Sequence, residues 1–205
     1  MIVLLNFILA GCGLIDSLHS DSLRLHVIDK EIRMKQGSTT VTFNISIVNK
    51  SDSSLLLYNF NVDPDIAFRE EAFFCNSKIA ARGVIFVYDY HMKDLYARKS
   101  RIHDVAGYNS MTEEKLKNKL NESRLKFRDS SQIVKRGEQL VLTKKADLKN
   151  VQLTRGIYYL KFIYSSGEYT SNMVSEKDMS EDKAKYRVRI FKGCISSGVV
   201  RLIVE

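Results

Sequence analysis

The segment Val41-Thr42-Phe43-Asn44-Ile45-Ser46-Ile47 alternates apolar and polar residues without a break. A period of two cannot be satisfied by a helix. It predicts a half-buried strand with Val41, Phe43, Ile45 and Ile47 on the inner face. Gln36-Gly37-Ser38 before it and Asn49-Lys50-Ser51-Asp52-Ser53 after it are turn-forming runs. Leu23–Met34 is expected as an earlier strand and Leu55–Phe60 as a later one. Val84–Tyr90, dense in β-branched and aromatic residues, is expected at the centre of a sheet. Further strands are expected at Leu125–Phe127, Gln132–Val134, Gln139–Leu142, Ile157–Tyr164, Tyr186–Phe191 and Val199–Val204. Many short strands between turns, with hardly a helix, predict an all-β chain, two sheets packed as an antiparallel sandwich.

The N-terminus departs from this pattern. Ile2–Leu9 is apolar apart from Asn6. That is far short of the ~20 residues a membrane span needs, and it suits the apolar part of an export signal. Ala10, Gly11 and Cys12 follow, and the chain then turns polar. Leu9-Ala10-Gly11-Cys12 resembles the lipobox of bacterial lipoproteins. The resemblance implies cleavage before Cys12, a diacylglyceryl group on its sulfur, and an acylated amino terminus. Residues 1–11 then form the signal peptide, 12–22 a lipidated tether, and 23–205 the folded domain. Two or three acyl chains give stable anchoring where one is marginal. The start departs from a usual signal in having no Lys or Arg after Met1. Gly13 rather than Asp follows the cysteine, which by the sorting rule of enteric bacteria favours the outer membrane. Asp16-Ser17-Leu18 and Asp21-Ser22-Leu23 resemble the O-glycosylation acceptor of the Bacteroides group.

Leu153-Thr154-Arg155-Gly156-Ile157-Tyr158-Tyr159-Leu160 resembles the entry to strand F of immunoglobulin-like domains. There a tyrosine hydroxyl bonds back to the backbone upstream as a tyrosine corner. On that resemblance Tyr158 is the corner residue. Leu160 stands where antibody domains have a cysteine, and the chain has no Trp. The same stretch also reads as an ordinary amphipathic strand. The closing stretch Phe191–Val204 reads as two strand segments around a Gly/Ser corner. It resembles the last strand of envelope β-sandwich lipoproteins and is expected to complete the fold.

One region does not fit a plain sandwich. Residues 91–122 form a basic insertion, with Arg98, Lys99 and Arg101 clustered in it. Ser110 and Glu113 have the spacing of a capping box, and Leu116 and Leu120 then fall on one side of a short helix. Such an insertion serves function or covers a sheet edge; both readings stand. Thr170–Lys185 is polar and is expected as a loop.

Once Cys12 carries lipid, Cys75 and Cys194 remain as an even pair in an exported chain, so a disulfide is one reading. It would close a long loop, with about 4 to 5 kcal/mol of stabilisation at most. Two unpaired buried cysteines are the other reading. His19, His26, His91 and His103 make no metal-binding pair by spacing, and there is no C-x-x-C. Asp89, His91, His103 and Asp104 are the residues a metal or hydrolytic site would have to use. The chain carries no G-x-S-x-G, H-E-x-x-H, P-loop or dinucleotide fingerprint. No cofactor or metal is expected.

The formal net charge is +8, and none of the first eleven residues is charged. A basic surface calls for an acidic partner or is simply solvated. Lys144 and Lys145 form one basic pair, and Arg187 and Arg189 mark the solvent face of a strand. For an anchored envelope protein the partners to expect are the membrane, an envelope protein or an acidic glycan, and not nucleic acid. The expected role is non-catalytic, binding or structural; an exported inhibitor or accessory subunit working through the sandwich loops is the alternative.

Overall fold

The computed structural model describes residues 22–66, 80–95 and 112–205. Among these, the elements in chain order are β1 (Leu23–Val27), β2 (Glu31–Met34), β3 (Thr40–Asn49), β4 (Leu55–Leu57), β5 (Asp65–Ile66), β6 (Arg82–Tyr88) and α1 (Glu113–Asp129). There follow β7 (Gln132–Val134), β8 (Gln139–Asp147), β9 (Gly156–Ser166), α2 (Thr170–Met173), α3 (Glu176–Tyr186), β10 (Arg189–Ile190), β11 (Gly193–Ser196) and β12 (Val200–Val204). The described chain is mostly strand, in antiparallel and mixed sheets, as the alternating pattern predicts.

The largest sheet has the order β2-β12-β9-β6-β5, with β11 also paired to β9. A second sheet is β1-β3-β8, and a third is β10-β4-β7. β3 does what its alternation requires: Val41, Phe43, Ile45 and Ile47 are all buried. They meet Ile32, Ile85, Leu160, Phe162 and Leu202 of the large sheet in one core. Phe43 packs on Phe162 with ring centroids 6.1 Å apart, and Phe60 meets Tyr164 edge-on at 5.0 Å.

β6 is buried on both faces. Ile85 and Val87 face the main core, while Val84, Phe86 and Tyr88 form a second cluster with Ile163 and Cys194. This explains why its sequence is a continuous apolar run rather than an alternation. β11 and β12 lie end to end along β9. Between them, the Ser197 N–H donates to the Phe162 carbonyl at 2.8 Å and its Oγ accepts from the Phe162 N–H at 3.0 Å. Those bonds hold the Gly/Ser corner against β9.

Several elements differ from the sequence expectation. Leu23–Met34 is two strands in different sheets: β1 pairs antiparallel with β3, and β2 pairs parallel with β12. The Asp29 carboxylate at the break accepts from the Asn44 N–H at 2.5 Å, which fixes the bend. The strand at Leu55–Phe60 ends at Leu57, because Asn59 is left-handed with φ 55°. Leu125–Phe127 is not a strand but the last part of α1, a 17-residue helix. Thr112, not Ser110, caps it, its hydroxyl accepting from the Lys115 N–H; Ser110 lies outside the described residues. Thr170–Lys185 is not a loop but α2 and α3. Ser175 caps α3 by accepting from the Asp178 N–H at 3.1 Å. Tyr186 ends α3, and Arg187 is its left-handed cap rather than a strand residue. No described helix is long and apolar enough to cross a membrane.

Candidate functional site

The sequence-predicted positions fall in several places. Cys12, Cys75, Arg98, Lys99, Arg101, His103 and Asp104 lie outside the described residues. Cys194 is buried in the second cluster beside Ile163 and Val84. Asp89 accepts from the His91 and Lys93 N–H groups, both at 2.9 Å, so its carboxylate shapes a turn. Among the described residues no group of three or more His, Cys, Asp or Glu is placed to hold a metal ion. The Tyr158 hydroxyl donates to the Thr154 carbonyl at 3.0 Å and accepts from the Thr154 N–H at 3.1 Å.

Three polar features stand out from the strands. The first joins the helices to the core. Arg128 of α1 donates from Nε and Nη2 to the two oxygens of Asp182 on α3, at 2.9 and 2.7 Å. Its Nη1 reaches Asp178 at 2.8 Å. The buried Tyr58 hydroxyl donates to the same Asp182 carboxylate at 2.9 Å. Asp182 is 3% exposed, so its charge depends on these donors. Burial and the Asp182 carboxylate together push the Tyr58 phenol well above its usual range. Hydrogen bonding to Asp182 raises the Arg128 guanidinium. The cluster acts as a clamp rather than an open site: both Asp182 oxygens are occupied.

The second feature is Lys144. It takes an inward position of β8 and is 2% exposed. Its Nζ donates to the Phe60 carbonyl and, at 3.1 Å, to the Val62 carbonyl, and lies 5.1 Å from the Phe60 ring centre. Burial pushes the ammonium down to about 8, against the opposing pull of the Asp63 carboxylate. Read only as half of a basic pair with Lys145, Lys144 hides this role. The inward series Leu140, Leu142, Lys144, Ala146 would have revealed it, but only with β8 extended past Leu142.

The third feature is α1 itself. Phe127 is buried and stacks on Tyr58 with centroids 6.3 Å apart, which fixes the C-terminal end of the helix. The N-terminal part is open: from Glu113 to Lys126 only Leu116 is half-buried and every other residue is exposed. Between Lys115 and Lys126 lie five basic residues and one acid, Glu122. A groove of about 190 Å³ runs between α1 and the α2–α3 segment, lined by Arg124, Leu125, Met173, Val174 and Ser175 among others. It is too small for a typical organic ligand and has room for one side chain.

Compared with known proteins, the chain matches no family model and no curated sequence.

Proposed function

We propose that this chain is a lipid-anchored envelope protein with an immunoglobulin-like β-sandwich, serving a non-catalytic binding or structural role. The observation that carries the reading is Leu9-Ala10-Gly11-Cys12 behind a short apolar run, followed by a polar tether that leads into β1. Two features support the immunoglobulin-like part. The strand orders β1-β3-β8 and β12-β9-β6 follow the A-B-E and G-F-C orders of that architecture. Tyr158, at the start of β9, bonds back to the backbone four residues upstream as a corner tyrosine does. The helices are additions to that plan: α1 precedes β7, and α2 and α3 fill the connection from β9 to β10.

The groove between α1 and the α2–α3 segment favours a second reading, an accessory subunit or inhibitor that receives a side chain from its target. Crosslinking the chain in its own cells, then identifying the attached species, separates the two. A structural role predicts abundant envelope components. An inhibitor or accessory role predicts one stoichiometric protein, lost when Leu125→Asp alters the groove. No crosslinked species at the envelope contradicts both.

A further inference from the structure

β8 is the longest strand at a sheet edge. The edge strands β1 and β2 carry charge, Arg24 and His26 on one, Glu31 and Arg33 on the other. β5, β7, β10 and β11 have four residues or fewer. Charge and shortness are common guards against pairing with another chain. β8 has nine residues, and its stretch Gln139-Leu140-Val141-Leu142-Thr143 holds no charge, proline or glycine. Val141, at the middle of that stretch, is 57% exposed.

The backbone there is open on one side. β8 keeps one unbroken antiparallel register with β3, from Asp147 opposite Thr40 to Gln139 opposite Val48. Just beyond the strand, the Glu138 carbonyl and the Leu148 N–H bond to the β3 side. Lys145 points the other way, its N–H donating to the Asp63 carboxylate at 2.9 Å. Backbone direction alternates along an antiparallel pair, so Gln139, Val141 and Thr143 turn their N–H and C=O groups away from β3. Among the described residues no strand pairs with them. Asp63 closes the edge at Lys145, and left-handed Gly137 (φ 71°) turns the chain off it at the other end.

The open window is its own complement. It is centred on Val141, so a second copy laid antiparallel about a two-fold axis there fits it end to end. Gln139 then faces Thr143 of the other copy, and Leu140 faces Leu142. These two leucines point toward the core yet stay only half-buried, because the sheet stops at β8. Lys145 falls opposite Gly137, so no like charges meet. An acidic peptide would find no cation in the window, whereas a neutral strand of matching length is what β8 itself supplies.

We propose that two copies of this chain pair through Gln139–Thr143 of β8, antiparallel about Val141, and join their β1-β3-β8 sheets into one. The pairing adds about six backbone hydrogen bonds and covers Leu140 and Leu142. A five-residue strand pair is smaller than a standard interface of ~1,600 Å², so the dimer is weak, with a Kd on the order of 10 to 100 μM. Each copy carries a net charge of +8, so added salt strengthens the association. The contact uses neither the anchor nor the groove beside α1, so its outcome is independent of the proposed role.

The test uses the full chain as Cys12→Ser, which takes no lipid, in sedimentation equilibrium from about 1 to 500 μM. Three forms are compared. The first is this parent. In the second, Val141→Lys sets two ammonium groups face to face on the axis. In the third, Thr42→Lys adds the same charge at an exposed position of the central strand β3. Circular dichroism confirms that each folds. The parent is expected to dimerise, Val141→Lys to raise the Kd at least about tenfold, and Thr42→Lys to change it little. Crosslinking then reads the register. Under mild oxidation Val141→Cys is expected to form a disulfide dimer above the parent's background, and Thr143→Cys is not, because Thr143 faces Gln139 rather than itself. Both positions are exposed, so this readout decides even if Val141→Lys unfolds. A parent that stays monomeric throughout overturns the proposal. So does a dimer that Val141→Lys leaves intact, or that Thr42→Lys weakens as much. Equal crosslinking of the two cysteine variants overturns it as well.

Discussion

The Arg128 guanidinium closes on the Asp182 carboxylate through two hydrogen bonds, Nε to Oδ2 at 2.9 Å and Nη2 to Oδ1 at 2.7 Å. This fork joins α1 to α3 across more than fifty residues of sequence and is completed by the Tyr58 hydroxyl. Removing the arginine leaves a nearly buried carboxylate with one neutral donor, so the cost is that of a stranded charge rather than of a surface pair. Arg128→Ala is expected to lower unfolding free energy by about 3 kcal/mol in urea titrations. Asp182→Asn, which keeps the shape and removes the charge, is expected to cost less. Equal, small effects of both would contradict the clamp.

Lys144 gives the fold an alkaline signature. Its ammonium titrates near 8 in the folded chain and at its ordinary 10.5 when unfolded. Between these values the unfolded state holds the proton that the folded state has lost, so stability rises with pH. Below about 8 both states are charged and the full burial penalty stands. Above about 10 the trend reverses, because burial holds the Tyr58 and Tyr164 phenols above their usual range and unfolding lets them ionise. From pH 8 to 10 the parent is expected to gain about 2 kcal/mol relative to Lys144→Met. Urea midpoints at several pH values measure this, and parallel curves for the two proteins would rule it out.

Asn49 joins two sheets. It is fully buried at the end of β3, where its amide donates to the Ser53 and Val134 carbonyls at 2.9 Å each, and its Oδ1 accepts from the Ser51 N–H at 2.9 Å. Asn49→Ala takes the amide donor from the buried Val134 carbonyl and the acceptor from the part-buried Ser51 N–H, while the Ser53 carbonyl keeps the Ser51 hydroxyl, and is expected to cost about 2 kcal/mol. Amide exchange is expected to speed up in β4 and β7 before β6 and β9. Uniform loss of protection would mean that Asn49 is not a local link.

Tyr158→Phe removes the two bonds to the Thr154 backbone and the 3.2 Å contact with the Thr154 hydroxyl, and keeps the ring. A loss of about 1 kcal/mol is expected by thermal or urea unfolding. No loss would show that the corner geometry adds nothing to stability.

What the sequence reveals here follows the apolar pattern. Val41 to Ile47 is legible because each inward position is a hydrophobe, and Val84 to Tyr88 because burial on both faces leaves a continuous run. α3 is not legible in that way. The one fully buried residue is Asp182, with only Met179 packed beside it against the core, so no apolar period of 3.6 appears. Its Ser175 cap was the available signal. Leu125–Phe127 misleads for a related reason: the β-favouring Phe127 belongs to a helix face continued from Leu116 and Leu120. Lys144 is hidden because an inward lysine breaks the alternation that would extend β8. In α3 and in β8 a charged group satisfied by a distant partner stands where a hydrophobe would have marked the element.

The account rests most heavily on Cys12. Growing the source cells with labelled palmitate, then isolating the protein and its Cys12→Ser variant, tests it directly. The account predicts label on the parent, found with the membrane fraction, and none on the variant. A parent without label, or a variant that keeps it, would contradict the anchor and with it the envelope role.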